Sequence, residues 1–338
     1  MLFQPLESRR HYSVSHYLDL GGTLTVQGDS ANDVITVEEI GGSVMVNPPR
    51  RFYFWPPAGG YPVAAVRNIV VRGGAGNDQI TVNSSLPADI AGEDGNDVVF
   101  GGFGDDRIDG GAGDDTLVGQ EGNDTLVGRA GADAMFGGFR ATGANPFSQV
   151  PLVSGADDDW LEGGDDADTL IAGNGNDSLF GKGGDDRMID DGAGTDLYDG
   201  GDGDDSIEYD RPTAVTLYAD DLRNDGGLGE LDWVLSCKTY QGGSGNDFIA
   251  AGQDGAGYVL RGGDGNDTLV GGPGSDELVG GNGDDWIYAN DGVPDIVDGG
   301  GGHDVAYVES HLEWGYIVVF DVPLVSDELK TVGIEDLR

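Results

Sequence analysis

The residues most suited to chemistry are aspartates that recur every nine residues between glycines. Residues 101–127 read GGFGDDRID, GGAGDDTLV and GQEGNDTLV, three nine-residue units without a spacer. Each unit starts with a glycine, has an aspartate at its sixth place, and has an apolar residue at its eighth: Ile108, Leu117 and Leu126. Carboxylates beside backbone carbonyls offer only oxygen ligands, and calcium accepts about 6–8 oxygens in flexible geometry. The spacing therefore predicts a series of oxygen-lined cation sites.

Each unit combines a turn with a short strand. Six residues must reverse the chain and point carbonyl oxygens inward, which requires positive φ and close backbone approach, and glycine permits both. The other three residues form a strand whose middle side chain points inward, because strand side chains alternate. Two nine-residue units then make one coil turn with a glycine turn on each edge, so equivalent residues stack every 18 positions.

The same unit recurs along the chain. Eight copies have all three glycines, the aspartate and the apolar residue, and they start at residues 73, 101, 110, 200, 242, 262, 271 and 280. Other copies are degenerate, such as GDSANDVIT at residues 28–36, where Ala31 replaces the glycine at the fourth place. The unit GQDGAGYVL at residues 252–260 has Gly257 at the aspartate place, which predicts a weak or empty site.

This pattern resembles the RTX, or hemolysin-type calcium-binding, repeat family over roughly residues 73–307. The resemblance implies an all-β fold, a parallel β-roll or β-helix solenoid of calcium-binding nonapeptide repeats with N- and C-terminal caps. It also implies multiple Ca2+ ions, each held between consecutive turns by two aspartates and backbone carbonyls. The metal ligands that it implies are Asp78, Asp97, Asp106, Asp115, Asp124, Asp133, Asp159, Asp168, Asp177, Asp186, Asp196, Asp205, Asp247, Asp267, Asp276, Asp285, Asp295 and Asp304.

The resemblance places these aspartates in ladders along the two edges of the coil. The first block has Asp97, Asp115 and Asp133 on one edge and Asp106 and Asp124 on the other. The second has Asp159, Asp177 and Asp196 opposite Asp168, Asp186 and Asp205. The third has Asp247, Asp267, Asp285 and Asp304 opposite Asp276 and Asp295.

The pattern divides the chain into six segments. They are a leader-like segment (1–16), N-terminal β rungs with an aromatic and proline-rich cap loop (17–91), an RTX β-roll with an insertion at 139–153 (92–208), a non-repeat β excursion (209–241), a second RTX β-roll (242–307), and a C-terminal cap or secretion segment (308–338). In the loop at 47–62, prolines bracket aromatic residues beside Arg50 and Arg51. Both a cap over the coil end and a recognition loop fit this composition.

Composition narrows the class of protein. The chain has 63 glycines in 338 residues, and 62 acidic against 17 basic residues give a net charge of −45. Such a charge repels nucleic acid and anionic membranes, while the strict period argues against a disordered acidic chain. The single cysteine, Cys237, excludes an intramolecular disulfide. No window approaches the roughly 18 apolar residues of a membrane span, so we expect no membrane insertion.

The expected location is extracellular or on the cell surface of a bacterium. The N-terminus has no apolar signal-peptide core, but it is similar to the LEPR-type leader of large extracytoplasmic bacterial proteins through Leu6, Glu7, Ser8, Arg9, Arg10 and Ser13. Calcium sites of extracellular modules have dissociation constants of ~0.1–1 mM. Sites this weak fill outside the cell, and the RTX resemblance implies export, for which the last thirty residues could also carry the signal.

No catalytic motif is present in the sequence. HExxH and GxSxG are absent, and the repeat frame accounts for paired carboxylates such as Asp185 and Asp186. We therefore expect no enzymatic activity. The leading hypothesis is a secreted or cell-surface structural or adhesive module that folds on binding calcium. The alternative is a non-catalytic polysaccharide-binding accessory module of a carbohydrate-active enzyme, similar to the R-modules of alginate epimerases. Its partner would be a polysaccharide or another cell-surface ligand.

Overall fold

The computed structural model describes residues 14–47, 60–138, 158–220, 223–227, 230–289 and 293–308, and the backbone of 318–320. Within these ranges the chain forms β-strands and one short 3-10 helix, Val63–Ala65, and no α-helix. All of the insertion at 139–153, and most of the predicted leader, cap loop and C-terminal segment, lie outside the described residues. The prediction of an all-β fold is confirmed.

The apolar residue at the eighth place of each unit forms the core. Ile108, Leu117 and Leu126 have no exposed surface, and each contributes about 1.5–3 kcal/mol when buried. Most of their neighbours in the strand are at least partly exposed, because side chains alternate along a strand, although Val118 beside Leu117 is also buried. Equivalent residues stack in register, with Ile108 opposite Leu126 and Leu117 opposite Val99. The offset of 18 residues per coil turn follows from these pairs.

Met1–Asp133 form one compact unit. Its strands are β1 Ser15–Leu18, β2 Thr23–Gln27, β3 Val34–Ile40, β4 Ser43–Val46, β5 Tyr61–Pro62, β6 Asn68–Ala75, β7 Gln79–Asn83, β8 Ala88–Asp94, β9 Val98–Gly102, β10 Arg107–Ala112, β11 Thr116–Gln120 and β12 Thr125–Ala130. Within this unit one sheet has the order β1-β2-β6-β8-β10-β12 and the other β5-β4-β3-β7-β9-β11. Neighbouring strands are parallel, except that β1, β4 and β5 pair antiparallel at the ends of the sheets.

The second compact unit is Ala134–Arg338. Its strands are β13 Ala134–Phe136, β14 Trp160–Gly164, β15 Thr169–Ile171, β16 Ser178–Gly183, β17 Arg187–Asp190, β18 Leu197–Asp202, β19 Ser206–Tyr209, β20 Val215–Tyr218, β21 Arg223–Gly227, β22 Asp232–Leu235, β23 Thr239–Gln241, β24 Phe248–Ala250, β25 Val259–Asp264, β26 Thr268–Val270, β27 Glu277–Asn282, β28 Trp286–Ala289, β29 Ile296–Gly301, β30 Val305–Val308 and β31 Val318–Phe320. Within this unit one sheet runs β14-β16-β18-β22-β21-β20-β24-β26-β28-β30, and the other runs β13-β15-β17-β19-β23-β25-β27-β29-β31. Each unit is thus a parallel β-solenoid with two facing sheets.

The coil tolerates insertions between its turns. Leu24 lies opposite Ile69, 45 residues later, so the loop at 47–62 is accommodated within one turn. In the second unit, β21 pairs antiparallel with both β20 and β22. Strand β22 stacks parallel on β18, and β20 stacks parallel on β24. Residues 209–241 therefore add an antiparallel excursion inside an otherwise parallel sheet.

Candidate metal centre

All eighteen aspartates implied as ligands are buried, although carboxylates are among the side chains most rarely buried. Each directly precedes a strand, as Asp106 does before β10. A buried carboxylate is costly unless a hydrogen bond or a cation compensates its charge. The eighteen are Asp78, Asp97, Asp106, Asp115, Asp124, Asp133, Asp159, Asp168, Asp177, Asp186, Asp196, Asp205, Asp247, Asp267, Asp276, Asp285, Asp295 and Asp304.

Hydrogen bonds connect these aspartates from turn to turn. The backbone N–H of Asp97 donates to Oδ1 of Asp115 at 2.8 Å, and that of Asp115 donates to Oδ1 of Asp133 at 2.8 Å. On the other edge, Asp106 N–H donates to Oδ1 of Asp124 at 2.9 Å. Within the second unit the same bond joins Asp159 to Asp177, Asp177 to Asp196, Asp168 to Asp186, Asp186 to Asp205, Asp247 to Asp267, Asp267 to Asp285, Asp285 to Asp304 and Asp276 to Asp295. The structure brings together the same sets that the sequence implied.

In ten of the eighteen aspartates the second carboxylate oxygen is left without a hydrogen-bond donor in the described part of the chain, whereas in Asp247 and Asp276 it accepts from the backbone N–H of Gly243 and Gly272. Among the described residues, Oδ2 is buried and has no hydrogen-bond partner in Asp78, Asp97, Asp106, Asp115, Asp177, Asp186, Asp205, Asp267, Asp285 and Asp304. Such an atom normally requires compensation by a donor or a cation. Because the same oxygen is orphaned in turn after turn, a bound cation explains the pattern better than isolated strain does.

The first glycine of each unit keeps the space beside this oxygen open. A Cβ atom on Gly101 would lie 2.6 Å from Oδ2 of Asp106 and 2.9 Å from the carbonyl oxygen of Gly119 in the next turn. The glycine thus leaves a small cradle lined by a carboxylate oxygen and a backbone carbonyl. This donor set contains only hard oxygen ligands and fits calcium. The aspartates would hold the ion by their second oxygens, and the ion would supply the missing positive charge.

The glycines at the second and fourth places of the unit have a different role: they allow the backbone conformation of the turn. Gly111 and Gly113 have φ angles of 118° and 123°, in the left-handed region that side chains other than glycine rarely adopt. Their N–H groups lie in a turn that stacks closely on its neighbours: Gly113 N–H donates to the carbonyl of Ala130 at 2.7 Å. The glycine pattern therefore secures both the turn geometry and the close approach of successive turns.

Burial alone makes the metal-free carboxylates weak acids. Desolvation raises the pKa of Asp97 to about 6, of Asp106 to about 7 and of Asp177 to about 8, against an ordinary value of 3.8. Hydrogen bonds from backbone N–H groups oppose this shift in all three, and neighbouring acidic residues add to it. Charging these groups at neutral pH therefore costs free energy in the absence of a cation.

Asp33 and Asp232 also belong to the ladders, although they are not among the eighteen aspartates implied as metal ligands. Asp33 is buried, and its N–H donates to Oδ1 of Asp78 at 2.7 Å, so it begins the first ladder. The sequence contained the signal for Asp33, because this residue is at the sixth place of the degenerate unit at 28–36. Asp232 is also buried, and its Oδ1 accepts from the N–H of Asp196 at 2.9 Å. Gly226, Gly227 and Gly229 precede it in GGLGELDWV, a glycine frame one residue longer than the nonapeptide, so its signal was present but out of register.

The structure corrects the register of residues 252–260. Tyr258, rather than Gly257, occupies the aspartate place, because its N–H donates to Oδ1 of Asp276 at 2.8 Å. The buried core residue is Leu260 rather than Val259. The unit is one residue longer than the nonapeptide pattern assumes. Its interior carboxylate is replaced by a tyrosine whose hydroxyl donates to Oδ2 of Asp254 at 3.2 Å.

Comparison with known proteins agrees with this geometry. The model of the RTX calcium-binding nonapeptide repeat matches residues 70–84, 89–117, 109–139, 153–188, 239–254 and 261–293. No curated protein matches the chain. The described residues contain no helix long and apolar enough to cross a membrane. The parallel solenoid, the buried aspartate ladders and these matches lead to one conclusion: the chain carries RTX calcium-binding nonapeptide repeats between residues 70 and 293.

Proposed function

We propose that this chain is a secreted or cell-surface structural or adhesive module whose solenoid folds when the aspartate ladders bind several calcium ions. The strongest support is the recurrence of buried carboxylates in which one oxygen has no hydrogen-bond donor, as in Asp97 and Asp115. Without cations, these rows of like charges would repel one another inside the coil. Calcium binding removes the repulsion and contributes directly to the free energy of folding.

The expected calcium affinity supports a location outside the cytoplasm. Sites built from two carboxylates and backbone carbonyls on a flexible scaffold fall in the range of extracellular calcium modules, with dissociation constants of ~0.1–1 mM. The chain would remain unfolded where calcium is scarce and fold where it is abundant. Nothing in this role requires catalysis, and we propose that the chain is not an enzyme.

The location can be tested on intact cells of the native host. Antibody labelling or protease treatment of intact cells, together with analysis of the medium, should detect the chain outside the cytoplasm. Digestion by added protease should become slower as calcium rises, because the folded coil is resistant. Retention of the chain inside the cell at all growth stages would contradict the proposed location, while calcium-independent proteolysis would contradict calcium-dependent folding.

One surface favours the alternative, polysaccharide binding. In the second unit, the outward residues of β20, β24, β28 and β30 are rich in aromatic side chains: Tyr218, Phe248, Trp286, Tyr288 and Tyr307. Tyr288 and Tyr307 stack at 4.9 Å, and Trp286 is 43% exposed. Exposed aromatic groups without neighbouring charges commonly mark a binding surface, and their faces suit the apolar faces of sugar rings.

A glycan array with and without calcium tests this alternative. Specific binding that is lost in Trp286→Ala and Tyr307→Ala, but kept in Arg261→Ala on the opposite sheet, would support polysaccharide binding. The loops at 47–62 and 139–153, the contacts expected from the sequence, lie largely outside the described residues, so Arg51→Ala and Trp55→Ala belong in the same panel. Absence of binding in all conditions would leave the structural or adhesive role.

A further inference from the structure

In the step from Asp196 to Asp232, tyrosine hydroxyls donate to both carboxylates, whereas the second oxygens of Asp247 and Asp276 accept from backbone N–H groups. The hydroxyl of Tyr198 donates to Oδ2 of Asp196 at 3.3 Å, and the hydroxyl of Tyr209 donates to Oδ2 of Asp232 at 3.2 Å. At an ordinary step, such as that following Asp97, the equivalent oxygen has no hydrogen-bond partner. At these two oxygens the protein itself supplies the donor that is missing elsewhere, while Oδ2 of the neighbouring Asp190 is buried without one.

A fixed positive charge lies in the same place. Arg211 is buried, with 7% of its side chain exposed. Its Nε donates to Oδ1 of Asp190 at 3.0 Å, and its two terminal nitrogens donate to Asp190 and Glu230. The guanidinium also lies 5.5 Å from the ring centroid of Tyr209. Charge-assisted bonds of this kind are stronger than bonds between neutral groups.

Asp190 and Tyr209 stand at the first place of a unit, which glycine holds in turns such as that of Gly101. Asp190 and Tyr209 lie opposite each other at the ends of β17 and β19, and neither has exposed surface. Each follows the ninth residue of a unit. It therefore stands at the first place of the next unit, the place that Gly101 holds in its own unit. At Gly101 the absent side chain leaves space beside a carboxylate oxygen. At Asp190 and Tyr209 the same place carries a buried side chain instead.

We propose that the step between Asp196 and Asp232 takes no calcium ion, because Arg211 provides its positive charge and Tyr198 and Tyr209 provide its donors. Asp190, Asp196 and Asp232 bring carboxylate oxygens within 4.8 Å of one another, a spacing that alone would suit a cation. A divalent ion beside the guanidinium would be repelled by it, and the repulsion is strong in a buried site. Asp205, within 187–209, belongs to an ordinary ladder, and the remaining residues of 187–209 and 232–241 form a calcium-independent lock inside a calcium-dependent solenoid.

Hydrogen exchange of the full chain, measured by mass spectrometry in calcium and in EGTA, tests the lock. This inference rests on the proposed calcium-dependent folding of the other ladders. Hydrogen exchange in residues 92–130 measures that folding separately. In EGTA, peptides from 187–209 and 232–241 should keep their protection while peptides from 92–130 lose it. Equal loss in all three segments would overturn the proposal. Protection of all three would contradict calcium-dependent folding instead, and the ion count described below would then decide on the lock.

Substitution of Arg211 supplies the matched comparison. In EGTA, Arg211→Met should speed exchange in 187–209 and 232–241 by about tenfold or more, the effect of losing one charge-assisted hydrogen bond. The control is Arg187→Met, because Arg187 pairs with Glu208 on the outer surface and is 48% exposed. Equal effects of the two substitutions would overturn the role of Arg211.

The number of bound ions gives a second readout that does not depend on folding in EGTA. Native mass spectrometry in calcium should find the same ion count in Asp232→Asn as in the unchanged chain. Asp115→Asn, in an ordinary ladder, should bind fewer ions under the same conditions. Loss of an ion in Asp232→Asn would overturn the proposal.

Discussion

The backbone N–H of Asp97 donates a hydrogen bond of 2.8 Å to Oδ1 of Asp115, which lies 18 residues further along the chain. This bond uses one oxygen of Asp115 to hold two turns together and leaves Oδ2 buried without a donor. Each interior aspartate thus has two roles, one in turn stacking and one in cation binding. Loss of the cation should therefore weaken the same contacts that stack the coil.

Calcium removal should unfold much of the solenoid. Treatment with EGTA exposes the mutual repulsion of the ladder carboxylates, and one apolar side chain per nine residues buries too little surface to oppose it. We expect the far-UV circular dichroism signal of β-structure to fall in EGTA and to recover as calcium rises toward ~0.1–1 mM. A spectrum that does not change over this titration would contradict calcium-dependent folding.

Asp115→Asn should weaken calcium binding. The amide keeps an acceptor for the N–H of Asp97 but loses the negative charge that two neighbouring turns share. We expect the calcium midpoint of folding to rise by about tenfold, as expected for one lost charge-assisted contact. Asp114→Asn is the control, because Asp114 is the preceding residue and lies at the surface. Equal midpoints for the two variants would contradict a ligand role for Asp115.

Gly101→Ala should impair the ladder on the other edge, that of Asp106 and Asp124, by occupying its cradle. The added methyl group would lie 2.6 Å from Oδ2 of Asp106 and 2.9 Å from the carbonyl of Gly119, both closer than normal contacts. We expect a lower melting temperature in saturating calcium and a higher calcium midpoint. Gly183→Ala is the control, because its nearest neighbour would be 3.9 Å away. If both variants melt alike, the cradle is not sterically restricted.

Acid should stabilise the metal-free fold. Burial raises the pKa of Asp97 to about 6, of Asp106 to about 7 and of Asp177 to about 8, above the ordinary value of 3.8. A group whose pKa is raised by folding contributes stability below its ordinary pKa and loses it as the pH rises through the folded value. In EGTA, the circular dichroism signal of β-structure should therefore increase from about pH 8 to about pH 5.

In saturating calcium the pH dependence should have the opposite sign, because protons compete with the ion for the same carboxylates. Lowering the pH through about 6–8 should release calcium, as measured with a calcium electrode. An EGTA sample that unfolds further as the pH falls would contradict the burial of these carboxylates in the metal-free fold.

The glycine spacing predicts much of the site, because its information is local. A turn of six residues and a strand of three specify where each aspartate lies relative to its own strand, so Asp106, Asp115 and Asp124 could be assigned from the sequence. Stacking then follows from repetition of a constant period. Asp33 could have been included by the same logic, since it occupies the sixth place of a degenerate unit.

Positions where the period changes length could not be assigned in this way. Tyr258 takes the place of an aspartate because the unit contains one extra residue, and a single insertion moves every later side chain in the register. Asp232 follows Asp196 by 36 residues, after an excursion whose strands pair antiparallel. The glycines before it, Gly226, Gly227 and Gly229, place it one residue later than the nonapeptide does, so the fold was needed to show that it continues the ladder.

The amino-acid sequence by itself determined the coil, its period and the chemistry of its ladders, because these depend on contacts between a residue and its near neighbours in a repeating frame. Only the tertiary structure decided that Arg211 lies within hydrogen-bonding distance of Asp190, 21 residues away, and that Tyr209 donates to Asp232. The first contact spans one coil turn, and the second joins segments separated by part of the non-repeat excursion at 209–241. Their geometry is fixed by how the turns stack, so packing in three dimensions was needed to reveal them.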